Sequence, residues 1–173
     1  LTLDAGYFTP VVIGDTAFAD INRDGRQGPE DLPLAGITVT LYDATTGTPA
    51  TTNAFGGPIS PEISDVNGAY LFDSLPPGVY FVVFDPITIP DGYAPTLENV
   101  GDSIQDSDID ELGYSDTVSV LMSGDTNRTL DAGYYPMHSI GNQVWVDANN
   151  NGLFDTSTES PIGNVEVVLH YID

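Results

Sequence analysis

The chain has 173 residues, of which 26 are acidic against three arginines and no lysine, for a formal charge of −23. Such a surface repels phosphate backbones and anionic headgroups, which argues against nucleic-acid binding and polybasic membrane attachment and favours divalent cations as partners. No cysteine means no disulfide, yet 40% hydrophobic residues against 17% charged supply enough apolar surface for a packed core.

The first segment, Thr2-Leu3-Asp4-Ala5-Gly6-Tyr7, returns as Thr129-Leu130-Asp131-Ala132-Gly133-Tyr134, an offset of 127 residues. Eleven of the 24 positions from Thr2 to Gly25 are identical to their counterparts from Thr129 to Gly152. With a one-residue shift the likeness continues, setting Ile37-Thr38-Val39-Thr40-Leu41 opposite Val165-Glu166-Val167-Val168-Leu169. The expectation is a tandem array: residues 1–10 as the last strand of one repeat, 11–136 as a complete repeat, and 137–173 as the opening part of the next. The chain starts inside a strand-like pattern and is read as an excerpt of something longer. Tyr7-Phe8-Thr9-Pro10 and Tyr134-Tyr135-Pro136 leave almost no linker, which favours stiff joints between neighbouring repeats of the same chain.

Within 11–136 the periodicity is that of strands. Ile13 to Ala19 reads as one strand; Ile37, Val39 and Leu41 alternate with Thr38, Thr40 and Tyr42; Tyr70 and Phe72 with Leu71 and Asp73; Val118, Val120 and Met122 with Thr117, Ser119 and Leu121. Turn signals fall at Thr46-Gly47, Asn67-Gly68, Pro76-Pro77-Gly78, Asp91-Gly92 and Ser123-Gly124, spaced as in an all-β antiparallel sandwich. The longest apolar runs, such as Val79 to Phe84, are far short of the ~20 residues that span a bilayer. No direct membrane insertion is therefore expected.

Between the strands lie three acidic loops. In Asp20 to Asp31, side-chain oxygens occur at positions 1, 3 and 5 (Asp20, Asn22, Asp24). Gly25 stands at position 6, the Arg26 carbonyl at position 7 and Asp31 at position 12, the spacing of an EF-hand-type calcium loop. Alternate residues of a turning loop point at a common centre, and Ca2+ needs six to eight hard oxygens. The competing reading is an Asp/Asn/Gly turn that bonds its own backbone. A second copy carries Asp147, Asn149, Asn151 and Asp155, with its closing acid, Glu159, one residue late. In the third, Asp102, Asp106, Asp108 and Asp110 fall within nine residues. Asp106, Asp108 and Asp110 alternate, so an extended segment would gather their mutually repelling charges on one side, where a cation relieves them. The first loop sits between strands rather than helices, so a metal there acts as a structural clip whose binding energy adds to folding.

Several segments in order resemble one module, the SdrD B-like domain of bacterial surface proteins. These are Ile13-Gly14-Asp15 leading to Asp20-x-Asn22-x-Asp24-Gly25, Leu34 to Tyr42, Asp65-Val66-Asn67-Gly68-Ala69-Tyr70-Leu71-Phe72, Leu75 to Tyr80, Asp106-Ser107-Asp108 and Leu130-Asp131-Ala132-Gly133-Tyr134. The resemblance implies an Ig-like, prealbumin-like β-sandwich of the Cna B-type class, stabilised by Ca2+ and repeated in tandem as a rigid extracellular stalk or fibre on the cell surface. It extends calcium roles to Asp20, Asn22, Asp24, the Arg26 carbonyl and Asp31, and to Asp102, Asp106, Asp108 and Asp110. Many Cna B-type pilins carry a lysine-to-asparagine isopeptide cross-link; without lysine this chain cannot form one. Like chains associating in a filament are a further expected partner.

An adhesin-type module recognising protein or glycan is the alternative, with the Gly/Pro-rich insertion Phe55 to Glu62 as its face. An enzyme is not expected. His138 and His170 are the only histidines, neither lies near a nucleophile motif, and the paired carboxylates have calcium spacing rather than the opposition of an acid/base cleft. Asn127-Arg128-Thr129 fits a glycosylation sequon, a pattern common by chance.

Overall fold

The computed structural model describes residues 4–170. It divides into two compact units, Leu1–Met137 and His138–Asp173. Twelve strands lie in the first: β1 (Val11–Ile13), β2 (Ala17–Ala19), β3 (Leu32–Pro33), β4 (Thr38–Asp43), β5 (Thr48–Pro49), β6 (Glu62–Ile63), β7 (Phe72–Leu75), β8 (Gly78–Phe84), β9 (Tyr93–Pro95), β10 (Val118–Val120), β11 (Thr126–Asn127) and β12 (Ala132–Pro136). The only helical turn among the described residues is a 3-10 turn at Pro86–Thr88, begun by Asp85, whose carboxylate accepts from the Ile87 amide. No helix among them is long and apolar enough to cross a membrane.

The fold is an all-β sandwich. One sheet has the order β11-β1-β7, a second β10-β8-β4-β5 with β6 also on β4, and the third β3-β2-β12-β9. All three face one core, in which Val11 and Ile13 meet Val39, Leu41, Val82 and Phe84 from the second sheet and Ala17, Ala19, Ala132 and Tyr134 from the third. The strongest pairing is β4 with β8, in register from Val39–Phe84 to Asp43–Tyr80. Its alternation is the one read from sequence: Val39 and Leu41 are buried while Thr38 and Thr40 are half-exposed. Tyr70 packs edge-on against Phe84 with ring centroids 5.4 Å apart, an arrangement that suits the ring quadrupoles.

Three features depart from the sequence reading. Ile13 to Ala19 is not one strand but two, β1 and β2, in different sheets. The bend between them passes so close to the Tyr70 carbonyl that a side-chain carbon at Gly14 would collide with it. Pairing is also not wholly antiparallel, since β1 runs parallel to β11 and β2 parallel to β12. A parallel pair needs a long crossover, and almost the whole unit separates these strands in sequence. Finally, β10 ends at Val120, leaving Met122 exposed.

Residues 4–9 are exposed and join no strand; Thr9 is tied to the turn at Ser123 and Gly124, accepting from the Gly124 amide at 2.9 Å. Residues 1–3, part of the segment read as a preceding repeat's last strand, lie outside the described residues. In the second unit an isolated bridge joins Trp145 to Pro161, and Val165 to Leu169, aligned with β4 by sequence, is not in a strand. In the first unit β4 draws its ladder from β8; residues 138–173 hold no counterpart of β8.

Replacing Phe84, fully buried where the sheets meet, with alanine is expected to cost about 3–5 kcal/mol in denaturant unfolding. The same change at Ile87, 89% exposed three residues away, should stay within about 0.5 kcal/mol.

Candidate metal centre

The loop from Asp20 to Asp31 leaves the end of β2 and returns into β3. Its first residue is fixed by the sheet, because the Asp20 amide donates to the carbonyl of Tyr134 in β12 (2.8 Å). Asp20 is fully buried, and its Oδ2 accepts from the Gly25 amide (2.8 Å) and from Thr96 Oγ1 (2.5 Å). Its Oδ1 and Asn22 Oδ1 both accept from the Asp24 amide, and Asp24 Oδ1 accepts from the Arg26 amide at 2.9 Å. Asp31 closes the ring: Oδ1 accepts from Ile21 N (2.8 Å) and Oδ2 from Gly28 N (2.6 Å). Gly25 has φ +80° and its would-be side chain points at the Leu97 carbonyl 2.8 Å away, so glycine is required on both counts.

The second acidic segment lies alongside. Arg26 and Asp106 form an antiparallel backbone β-bridge, Gln27 N donates to the Gln105 carbonyl (2.6 Å), Ser107 N donates to the Gly25 carbonyl (3.0 Å), and Arg26 Nε reaches the Val100 carbonyl. Two clusters separated by some seventy residues of chain therefore share one edge. Within the second, Asp106, Ser107 and Asp108 are all buried rather than alternating in and out. Asp106 Oδ1 has no hydrogen-bond partner, Ser107 Oγ accepts from Gly133 N, and Asp108 Oδ2 accepts from Asp131 N at 2.8 Å. Asp102 and Asp110 instead cap local turns, Asp102 Oδ1 accepting from Ile104 N and Asp110 Oδ1 from Leu112 N and Tyr114 N.

The third loop repeats the backbone-amide bonds of the first. Asp147 Oδ2 accepts from Gly152 N (2.8 Å) as Asp20 does from Gly25 N, and Asn149 Oδ1 accepts from Asn151 N. Glu159 bonds Ala148 N and Asp155 N, the counterparts of the two amides that Asp31 holds. The longer glutamate spans the extra residue. Asp155 receives the Asn149 amide (2.8 Å) where Glu30 receives that of Asn22 (2.8 Å), so Glu30 joins the first loop although its position did not single it out. Thr96 was equally invisible, since its contact crosses 76 residues.

The donor set is carboxylate, carboxamide and carbonyl oxygen throughout, which suits a hard cation such as Ca2+ and disfavours softer metals. A buried carboxylate oxygen without a partner, Asp106 Oδ1, adjoins the first loop through the Arg26 bridge; such an atom is costly unless a proton or cation meets it. Among the described residues no three His, Cys, Asp or Glu side chains stand arranged around a single ion position. Their oxygens turn instead to backbone amides.

Behind the loops lies an acidic group that the sequence reading did not mark. Asp131 is fully buried; its Oδ1 accepts from Thr16 N (3.2 Å) and Thr16 Oγ1 (2.7 Å), while Oδ2 has no partner. Burial, then the charge of Asp15, push its carboxyl up to about 8. Burial and the neighbouring Asp106, Asp116 and Asp15 charges, acting against the bond from the Asp131 amide, push Asp108 up to about 7. Asp15 is raised too, chiefly by burial, though Arg128 works against it.

A profile of the SdrD B-like domain matches residues 11–134. The chain belongs to this family. Two relatives are the serine-aspartate repeat-containing protein F of Staphylococcus epidermidis, 34% identical over 171 residues, and protein D of Staphylococcus aureus (strain Newman), 35% identical over 172. The matches cover 97% and 98% of this chain but 9% and 12% of those proteins, so the chain spans about a tenth of their length. Among solved structures, the minor pilin GBS52 of Streptococcus agalactiae aligns with a TM-score of 0.47 and 16% identity, covering 79% of this chain and 49% of that one.

The raised carboxyls fix a pH dependence. A carboxyl whose folded pKa lies above its unfolded value gives stability that is fully present below the unfolded value and lost as pH rises through the folded one. In a chelator, the melting temperature is therefore expected to fall between about pH 4 and pH 8, the window set by Asp108 and Asp131. Asp131→Asn keeps an acceptor for Thr16 and removes the titration. It should flatten that fall and raise stability at pH 8 by on the order of 1 kcal/mol.

Proposed function

We propose that this SdrD B-like domain is a structural repeat, stabilised by Ca2+, in an extracellular stalk or fibre of a large cell-surface protein. The observation that carries the reading is the loop from Asp20 to Asp31 docked on the second acidic segment through the Gly25–Ser107, Arg26–Asp106 and Gln27–Gln105 backbone contacts, with the unpartnered Asp106 Oδ1 at the junction. A cation entering here would be held by Asp20, Asn22, Asp24, the Arg26 carbonyl and Asp31, with Asp106 and Asp108 at the adjoining edge. It would supply positive charge where desolvated carboxylates crowd, and so tie β2, β3 and the segment before β10 together.

Family membership supports a surface location, and the relatives' names describe repeat-containing proteins many times longer than this chain. The 127-residue sequence period supports a tandem arrangement, with 11–136 as one repeat and 137–173 opening the next. Asp147, Asn149, Asn151, Asp155 and Glu159 would then serve the next repeat as the first loop serves this one. The role is mechanical rather than catalytic: Asp20, Asp31, Asp147 and Glu159 are committed to shaping their loops, and neither histidine belongs to them.

Thermal unfolding in Ca2+ and in excess chelator tests this. Calcium at about a hundred times its dissociation constant should add about 2.7 kcal/mol of stability. Asp20→Ala should abolish most of the difference. An unchanged melting temperature in chelator would remove calcium from the account and leave the fold assignment standing.

A second reading, recognition of a partner by the insertion, is favoured by one observation. The turn at Asn53 to Gly57 and the Thr52–Pro58 bridge raise a lip over a small cavity of about 150 Å³, lined by Asn53, Ser60, Glu62 and Asp73. Phe55, 77% exposed, stands on that lip. If this reading holds, Phe55→Ala with Glu62→Gln should lower glycan or protein capture at least about tenfold without moving the melting temperature.

A further inference from the structure

One strand edge of the first unit is built to accept hydrogen bonds and not to donate them. β9 lies at the end of its sheet, and β12 is its neighbour there. The ladder turns the backbone of residues 92, 94 and 96 toward β12: Thr96 N donates to the Gly133 carbonyl (3.0 Å), and the Gly92 carbonyl accepts from Met137 N (2.7 Å). By the alternation of an antiparallel pair, Tyr93 and Pro95 face outward. Tyr93 N is spent on the Pro90 carbonyl (3.3 Å) and Pro95 has no N–H, so the outer edge offers two carbonyls and no amide.

A groove runs beside this edge, with a cavity of about 390 Å³ whose walls include Ile89, Tyr93, Leu112 and Met137. Asp91 and Glu111, both exposed, stand at its rim. Hydrogen-bonded turns hold these walls in place. Asp85 begins the turn that leads to Ile89, its carboxylate accepting from Ile87 N, and Asp110 Oδ1 accepts from Leu112 N (2.8 Å) and Tyr114 N (2.9 Å). Leu112 and Met137 are nevertheless 68% and 54% exposed. Apolar side chains fixed around a concavity and ringed by polar groups are the anatomy of a recognition surface.

We infer that this groove binds an extended peptide segment, basic and apolar, of a partner protein. Apolar side chains of the peptide fill the cavity, its N–H groups donate to the Tyr93 and Pro95 carbonyls, and a lysine or arginine meets Asp91 or Glu111. The spacing suits this occupant: carbonyls two residues apart on β9 match alternate N–H groups of an extended chain, about 6.8 Å apart. Charge selects against the others. An edge without donors cannot form a reciprocal ladder with its like in a second copy, and chains of charge −23 repel each other across the same rim. An acidic peptide meets that repulsion too. None of the residues lining the groove is among those proposed to hold Ca2+, so the two readings stand or fall separately.

Titration of the full chain, with Ca2+ present, by the probe peptide acetyl-Lys-Val-Lys-Val-Lys-amide and backbone-amide NMR tests the proposal. Saturable shifts are expected at Ala94, Leu112, Gly113 and Met137, and acetyl-Glu-Val-Glu-Val-Glu-amide should produce none. Leu112→Ser, and Asp91→Asn combined with Glu111→Gln, should each weaken binding at least about tenfold while leaving the melting temperature unchanged, because all three side chains are exposed. Asp4→Asn combined with Glu166→Gln removes as much charge from exposed positions outside the groove and should leave the affinity unchanged. Equal weakening by the two charge-removing pairs, or shifts centred on Asp20 to Asp31, would mean that the peptide answers to net charge alone and overturns the proposal. So does full affinity in Leu112→Ser, or the absence of any saturable shift.

Discussion

The parallel pairing of β12 with β2 is the contact on which the rest of the molecule depends. Ala132, Gly133 and Tyr134 lie beside Ala17, Phe18 and Ala19, closing the third sheet with strands from opposite ends of the unit. The approach is tight. A side-chain carbon on Gly133 would fall 2.6 Å from the Thr96 methyl and 2.7 Å from the tip of the Phe18 ring, so any other residue forces those side chains to move. At one end of this pair the Tyr134 carbonyl receives Asp20, where the acidic loop begins; at the other, Asp131 caps Thr16. Both the surface loop and the buried acids are thus hung from one strand.

That strand is also where the sequence spoke most clearly and least completely. Thr-Leu-Asp-Ala-Gly-Tyr stands out because it occurs twice, and the competing reading of Asp20 to Asp31, a turn that bonds its own backbone, is seen in Ile21 and Gly28 donating to Asp31. The alternation in β4 and β8 was equally legible, since a half-buried strand writes its two faces into the chain. What could not be read was direction and proximity. A period of two is the same for parallel and antiparallel neighbours, so nothing in Ala17-Phe18-Ala19 tells that its partner arrives from residue 132 running the same way. Nor does a run of aspartates disclose that Asp106 will lie against Arg26. Asp131 looked like part of a repeat signature because its meaning lies in Thr16, 115 residues away.

The two copies of the acidic loop separate what is general in it from what is particular. The amide bonds of Asp20 and Asp147, and those of Asp31 and Glu159, are made to equivalent donors despite a one-residue difference in length. A loop shape conserved through an insertion points to the ring of acceptors as the feature that sets it, since the intervening residues differ: Arg23, Asp24 and Arg26 in one, Asn150, Asn151 and Leu153 in the other. In the first loop Arg23 adds a contact of its own, its guanidinium lying 4.0 Å over the ring of Tyr135 on β12, a cation–π pair.

Acidity in this protein therefore has two physical regimes. Most carboxylates are exposed or half-buried and repel one another through water, as they repel anionic surfaces. A few are buried, and each needs something positive or protic nearby, because a desolvated charge left alone costs several kcal/mol. Asp20 meets that need with the Gly25 amide and the Thr96 hydroxyl. Asp108 and Asp131 meet it in part by holding protons at a pH where exposed carboxyls have lost them. Three arginines against 26 acids leave few side-chain cations to share. The interior solves its charge balance with backbone amides, hydroxyls and protons, and the unpartnered oxygens of Asp106 and Asp131 mark where that solution is incomplete. Those are the positions at which a proton or a bound cation changes the energy of the fold most.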